Sequence, residues 1–226
     1  RLPKKFKMEV EVYYKKMSNL INNSEGAQIL NDCHDNVNFG EGSSYGLEFM
    51  LSRREGPVQG WMGYTLSWTD RRFDRINFGR PYPYHYDRRH NLTLALSWKV
   101  NNWLEATANW LFGTGLATSI PLQQYVIYNS DISSTPIVAT DYGQKNGFRL
   151  PVYQRLDLGL NAKFRGKIYN HCLQVGVYNM YDRKNPLYYD LRTRLVNEDN
   201  ALKQERAYVQ VWLLPVLPTF SYSIEF

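Results

Sequence analysis

Apolar and polar residues alternate step by step in eight stretches of the chain. That period belongs to strands with one oily face and one wet face. The first stretch sets Phe6, Met8, Val10, Val12 and Tyr14 against Lys7, Glu9, Glu11, Tyr13 and Lys15. The second, from about Tyr45, sets Leu47, Phe49 and Leu51 against Glu48 and Ser52. The third sets Met62, Tyr64, Leu66 and Trp68 against Gly63, Thr65 and Ser67. The fourth carries Leu92, Leu94, Leu96 and Trp98; the fifth carries Leu104, Ala106, Ala108, Trp110 and Phe112. In the sixth, Leu156, Leu158, Leu160, Ala162 and Phe164 alternate with Arg155, Asp157, Gly159, Asn161 and Lys163. The seventh sets Leu173, Val175 and Val177 against Gln174, Gly176 and Tyr178. The eighth is long, from about Gln204 to Phe226, with Pro215 and Pro218 marking a bulge. Its last residues, Thr219 to Phe226, alternate strictly and end on an aromatic ring. A barrel in lipid needs a last strand that leaves no open edge, although a soluble sheet can end in the same way.

The connections alternate in length. Residues 17–42, 69–88 and 114–150 are long and rich in Gly, Asn, Asp and Pro; residues 55–57, 100–102 and 165–169 are tight turns. Arg192 to Lys203 closes a further outer hairpin. Long outer loops opposite short periplasmic turns are the habit of transmembrane barrels. Eight strands also bring both ends of the chain to the periplasmic side. Tyr14, Trp68 and Trp110 fall at outer strand ends, and Phe6, Trp98, Phe164 and Phe226 at inner ends, as two headgroup girdles require. The fold class expected is all-β, a transmembrane antiparallel β-barrel.

Composition adds three points. The 226 residues fit one unit, 1–226, and no run approaches the ~18 uncharged apolar residues of a membrane-spanning helix. That criterion is blind to barrels, because half of each spanning strand faces a polar bore. The net charge of +6 suggests anionic company, such as lipopolysaccharide phosphates or an acidic solute, and no nucleic acid is expected. The chain opens on Arg1-Leu2-Pro3 and runs at once into strand-like sequence, as a piece of a longer or processed protein would.

Several runs resemble the TonB-dependent outer-membrane receptors of Bacteroidetes-type bacteria. They are Tyr13 to Ile21, Gly60 to Trp68, Phe78 to His90, Trp110 to Gly115, Arg155 to Leu158, Val177 to Pro186, and Leu214 to Pro218 followed by the terminal strand. Single pieces are weakly specific; seven in the correct order are strongly so. The resemblance implies a barrel of about 22 strands with a plug in its lumen, of which this chain would be the last eight or so. It also implies a TonB-binding segment ahead of the plug. The plug, that segment and the earlier strands are absent from this chain. An open slab would leave two unpaired edges in lipid, so the same or a separate polypeptide is expected to supply the remaining strands.

Arg71-Arg72-Phe73-Asp74-Arg75 and Tyr86-Asp87-Arg88-Arg89-His90 flank one outer loop, with Tyr82 and Tyr84 between them. Guanidinium forks suit carboxylate or phosphate, and tyrosines suit sugar rings or aromatic solutes. This makes Arg71, Arg72, Asp74, Tyr82, Tyr84, Tyr86, Asp87, Arg88 and Arg89 candidates for extracellular ligand binding. The structural alternative is a loop base in which Asp74 and Asp87 pair with arginines. Glu9, Glu11, Glu48, Arg155, Asp157, Asn161 and Lys163 are expected to face the lumen, where a solvated wall accounts for them without catalysis. Asp32-Cys33-His34-Asp35 has metal-ligand types, but adjacent loop residues converge poorly on one ion, so no metal site is assigned. Cys33 in an outer loop and Cys172 near an inner strand end would stand roughly 25 Å apart, far beyond a bridging distance of about 5.5 Å. His171 reads as an exposed turn residue. No cofactor is indicated, and neither omptin-like proteases nor outer-membrane phospholipases share a motif with the chain.

Three functions remain open on the sequence. The first is part of an energy-dependent receptor in the bacterial outer membrane, multi-pass and not an enzyme, that imports a scarce, bulky nutrient, with TonB and a surface lipoprotein as candidate partners. The second is a passive porin or structural barrel. The third is a soluble glycan-binding β-sandwich, in which Leu92, Leu94 and Leu96 would pack on another sheet.

Overall fold

A computed structural model describes residues 5–23, 37–127, 137–166, 168–198 and 201–225. Its centre is one antiparallel meander of eight long strands. These are β1 (Phe6–Asn23), β2 (Val37–Arg53), β3 (Val58–Phe73), β5 (His90–Lys99), β6 (Leu104–Gly113), β11 (Tyr153–Arg165), β12 (Asn170–Tyr178) and β15 (Leu217–Glu225), hydrogen-bonded in that order. Among the described residues, seven further strands lie in the connections. β4 (Tyr82–Pro83) pairs with the top of β3, β7 (Ala117–Thr118) with β10 (Phe148–Arg149), and β8 (Gln123–Ile127) with β9 (Ile137–Asp141). β13 (Pro186–Glu198) and β14 (Ala201–Trp212) form a separate hairpin.

Register turns eight separate alternations into two continuous faces. Val58, Trp98, Ala106, Leu160, Val175 and Phe220 are consecutive Cα partners across six strands. One residue along each strand, Gln59, Ser97, Thr107, Gly159, Gly176 and Thr219 form the matching polar row. Successive side chains point to opposite sides of a pleated strand, so the two rows cannot mix. The apolar face is uncovered: Val12 is 76 % exposed, Phe220 74 % and Leu160 51 %. Leu92, Leu94 and Leu96 sit between β3 and β6 neighbours of the same single layer. The two-layer sandwich is therefore excluded for the described residues.

Short turns close one end. Asn101 Oδ1 accepts from the N–H groups of Trp103 (2.9 Å) and Leu104 (2.8 Å), an Asx turn between β5 and β6. The Gly166 N–H donates to the Tyr169 carbonyl at 2.8 Å between β11 and β12. The described parts of the long connections lie at the other end, which also holds the one apolar cluster of buried residues among the described residues: Phe73, Ile76 and Tyr82, with Leu20 against it. The sheet does not close, since β1 and β15 end the strand order.

Two elements differ from the sequence reading. β2 starts at Val37, eight residues before Tyr45, because pairing to β1 and β3 on both sides recruits a Gly/Ser-rich run with little pattern of its own. Within it, a Cβ on Gly40 would fall 2.4 Å from the Phe73 ring, so the bare backbone makes room for that cluster. The stretch from Gln204 to Phe226 is two strands rather than one bulged strand. Leu213–Val216 breaks it, Leu214 is left-handed (φ 54°), β14 turns back on β13, and only β15 joins the main sheet. Alternation on both sides of the break, joined by the apolar run 211–218, conceals it. The main sheet keeps eight long strands nonetheless. Asp32, Cys33, His34, Asp35 and Phe226 lie outside the described residues.

Candidate functional site

The described parts of the long connections gather into a crown at the end of the sheet opposite the short turns. Its hub is Asp87, 2 % exposed. The Thr69 N–H donates to Asp87 Oδ1 at 2.7 Å, Arg149 forms an ion pair with Oδ2, and Arg89 Nη2 lies 3.6 Å away. A carboxylate taken this far from water requires such partners. Arg149 also donates to the Asp87 carbonyl, which ties residues 74–89 to 114–152. Asn146 Nδ2 donates to the Pro83 carbonyl (2.9 Å), the Lys145 N–H to Asn77 Oδ1 (3.4 Å), and His85 Nδ1 meets the Ala117 carbonyl at 2.9 Å, so the same two connections touch at several points. Sequence reasoning paired Asp87 with arginines but missed Arg149, which is 62 positions away and bears no local signal.

The other crown candidates divide by environment. Tyr82 is buried against Phe73, with ring centroids 6.4 Å apart. Arg71 stacks over the Tyr84 ring at 4.1 Å, and Tyr84 meets the exposed Tyr86 edge-on at 5.4 Å. Arg89 lies over Trp68 at 4.4 Å and donates to the Ser67 carbonyl. Arg72 Nε donates to the Gly79 carbonyl at 3.0 Å, holding a tight turn in which Asn77, Phe78 and Gly79 all have positive φ (53°, 55° and 71°). Phe78 projects from that turn 97 % exposed. Asp74 is exposed and makes no ion pair among the described residues. Arg88 is half-buried; burial lowers its guanidinium below the ordinary value, and Tyr153 opposes the shift.

Glu9, Glu11, Glu48, Arg155, Asp157, Asn161 and Lys163 share the polar face of the sheet. Glu11 is opposite Glu48, Glu48 opposite Thr65, and the row continues through Asn91 and Gly113 to Tyr153. Lys7 pairs with Glu9. Arg155 is the busiest of the set: it bonds Asp157 Oδ2 (3.0 Å), Tyr153 Oη (3.2 Å) and Tyr178 Oη (2.8 Å), and lies 4.3 Å over the Tyr178 ring. Asp157 Oδ1 accepts the Asn179 N–H at 3.0 Å.

Asn179, unnoticed in the sequence, knots the base of the β13–β14 hairpin. It is 1 % exposed and left-handed (φ 53°). Its amide donates to the carbonyls of Arg183 (3.1 Å) and Leu214 (3.3 Å), and its Oδ1 accepts the Arg183 N–H (3.2 Å). Asn is the residue type besides Gly that most readily takes this conformation, which was the available signal.

Aromatic pairs stack on the apolar face near both of its ends, but Trp110 lies between them, level with Leu94 and Met62 rather than at the outer strand end expected of it. Tyr45 stacks on Trp68 (5.3 Å) near the crown, and Trp103 stacks on Phe164 (5.6 Å) near the short turns. Each histidine on this face meets a tyrosine hydroxyl at 2.8 Å, His90 with Tyr64 and His171 with Tyr222, so no imidazole faces the apolar surroundings alone. No described group of three or more His, Cys, Asp or Glu side chains is placed to hold a metal ion.

The family model described as "TonB dependent receptor-like, beta-barrel" matches residues 2–180, from the foot of β1 to just past β12. No curated protein matches the chain.

Proposed function

This chain belongs to the TonB-dependent receptor β-barrel family, a family of outer-membrane receptors and transporters, and from that premise we propose that it is the C-terminal part of a receptor barrel that imports a scarce, bulky nutrient. The observation that carries this reading is the unbroken apolar face across six strands, backed residue for residue by a polar one. A face so exposed costs too much in water, and in a bilayer it is satisfied. On this reading the polar face, with Glu9, Glu11, Glu48, Arg155, Asp157, Asn161 and Lys163, lines the bore. The crown residues Arg71, Arg72, Asp74, Tyr84, Tyr86, Arg88 and Arg89 meet the solute or a surface lipoprotein that delivers it, while Tyr82 and Asp87 hold them in place.

The unpaired sides of β1 and β15 call for further strands, from the same or a separate chain, to reach a closed barrel of the Bacteroidetes receptor type. A plug would fill the bore, TonB would supply the energy, and the girdles would rest among lipopolysaccharide headgroups. Planar-bilayer recording on the full-length receptor tests this. The intact receptor is expected to stay closed and to conduct once the plug is deleted. Steady conductance by the intact receptor would favour a passive porin instead.

A further inference from the structure

Two described crown arginines, Arg71 and Arg88, have a buried Nε without a partner; Arg71 is stacked 4.1 Å over the Tyr84 ring, and Arg88 has no ring so close. The Arg88 backbone is pinned: Ser67 Oγ donates to the Arg88 carbonyl at 3.0 Å, and the next carbonyl, of Arg89, takes the Ser67 N–H at 3.1 Å. Its guanidinium is half-buried and forms no ion pair among the described residues. One bond, from Nη1 to Asn91 Oδ1, is long at 3.4 Å, and Nε is buried with no partner. The Tyr153 ring lies 5.9 Å away. Gly113 makes the room: a Cβ there would stand 2.6 Å from Nη1 and 2.8 Å from Cδ and Cζ.

Asn91, Gly113 and Tyr153 are consecutive partners on the polar face, so the guanidinium lies on that face at the crown end. The next cation on this wall, Arg155, already has Asp157, Tyr153 and Tyr178 as partners. A half-desolvated cation with unspent donors carries a free-energy cost that an anion would relieve. The planar fork fits two oxygens at once.

We propose that Arg88, seated over Gly113 and flanked by Asn91 and Tyr153, is an anion subsite that takes a carboxylate or phosphate group of the imported solute. This rests on the uptake reading and gives it a substrate class, a solute bearing anionic oxygens. A plug carboxylate could fill the same place, and the experiment separates the two.

The full-length receptor in detergent is treated with phenylglyoxal, and modification of Arg88 is read by peptide mass spectrometry. The probes are inorganic phosphate and acetate, with sodium chloride at matched ionic strength as control. Arg88 is expected to react, and ~50 mM phosphate or acetate to slow it about threefold, the protection given by a Kd of ~20 mM. Chloride should not protect, and exposed Arg194 should be indifferent to all three. Gly113→Ala keeps the charge but pushes the guanidinium from its seat, and protection should be lost. Arg88 that reacts equally in all salts overturns the proposal. So does Arg88 that reacts only after plug deletion, which would assign it to a plug carboxylate. Neither result bears on whether the intact pore is closed, so the uptake reading stands or falls separately.

Discussion

The spanning sheet and the crown above it are held together in opposite ways. The sheet has almost no buried side chains; its order comes from ladder hydrogen bonds and a register that sorts every residue to one of two faces. The crown has few ladders and depends on single buried groups, chiefly Asp87, Asn179 and the Phe73–Ile76–Tyr82 cluster. In the sheet, stability is spread over many equivalent positions, so one substitution matters only if it reverses a face. In the crown it is concentrated, so one substitution can release a whole connection.

The sharpest test is therefore Arg149→Ala. It leaves the Asp87 carboxylate buried with only the Thr69 N–H and a distant Arg89, which costs about 3–5 kcal/mol. Asp87→Asn should cost less, because Arg149 is about a third exposed and can turn to water. The double variant should be milder than Arg149→Ala alone. Hydrogen exchange is expected to rise across 74–89 and 114–127 while heat-modifiable migration of the barrel is unchanged. Loss of the folded barrel band would show that crown and sheet are not separable.

The converse test lies in the sheet. Leu94 has Met62 and Trp110 as apolar-face neighbours, while Thr93 next to it lies on the polar face. Leu94→Arg should cost ~2–4 kcal/mol near the membrane midplane, and Thr93→Arg little. The proportion of folded, heat-modifiable receptor in outer-membrane fractions reads the difference. Equal damage from the two would refute the assignment of faces.

These two tests follow the line between what was legible in the sequence and what was not. Alternation is local and repeats, so Leu156 to Phe164 declared a strand, its two faces and its place between tight turns without reference to the rest of the chain. The short turns carried Gly and Asn. The crown contacts have no period. Arg149 meets Asp87 across 62 positions, and Asn179 binds Leu214 across 35. The β14–β15 break was hidden for the opposite reason, since alternation persists on both sides of Leu213–Val216 although the partners change from β13 to β12. Among the crown candidates, the sequence marked the right residue types. Only the geometry separates Tyr82 and Asp87, which are buried supports, from Tyr86 and Arg88, which have surface or donors to offer.

Asn179→Ala gives an intermediate effect confined to the crown. It removes an amide that serves three backbone groups and puts a Cβ-bearing residue with no local hydrogen bond at φ 53°. Leaving buried carbonyls unpaired costs roughly 1–3 kcal/mol. Faster proteolysis in the β13–β14 hairpin is the expected readout. Asn179→Gly relieves only the backbone strain and should remain nearly as severe, because most of the loss lies in the hydrogen bonds; a mild glycine variant would put the cause in the strain.

The smallest effect belongs to a pair that looks much like the largest. Arg194 on β13 bonds Glu205 on β14 through Nη2 at 2.7 Å and Nε at 3.0 Å, a better-aligned contact than Arg89 makes with Asp87. Both side chains are more than half exposed, however, at 66 % and 54 %. Water already solvates the two charges when they are apart, and salt screens them when they are together, so Arg194→Ala should cost no more than about 1 kcal/mol. Protease resistance of the hairpin should barely change, and less still at high salt. The contrast with Arg149→Ala isolates burial as the cause, since the chemistry of the two pairs is the same. If Arg194→Ala loosened the crown as much as Arg149→Ala, geometry rather than desolvation would set the strength of these contacts, and the division between a distributed sheet and a concentrated crown would have to be redrawn.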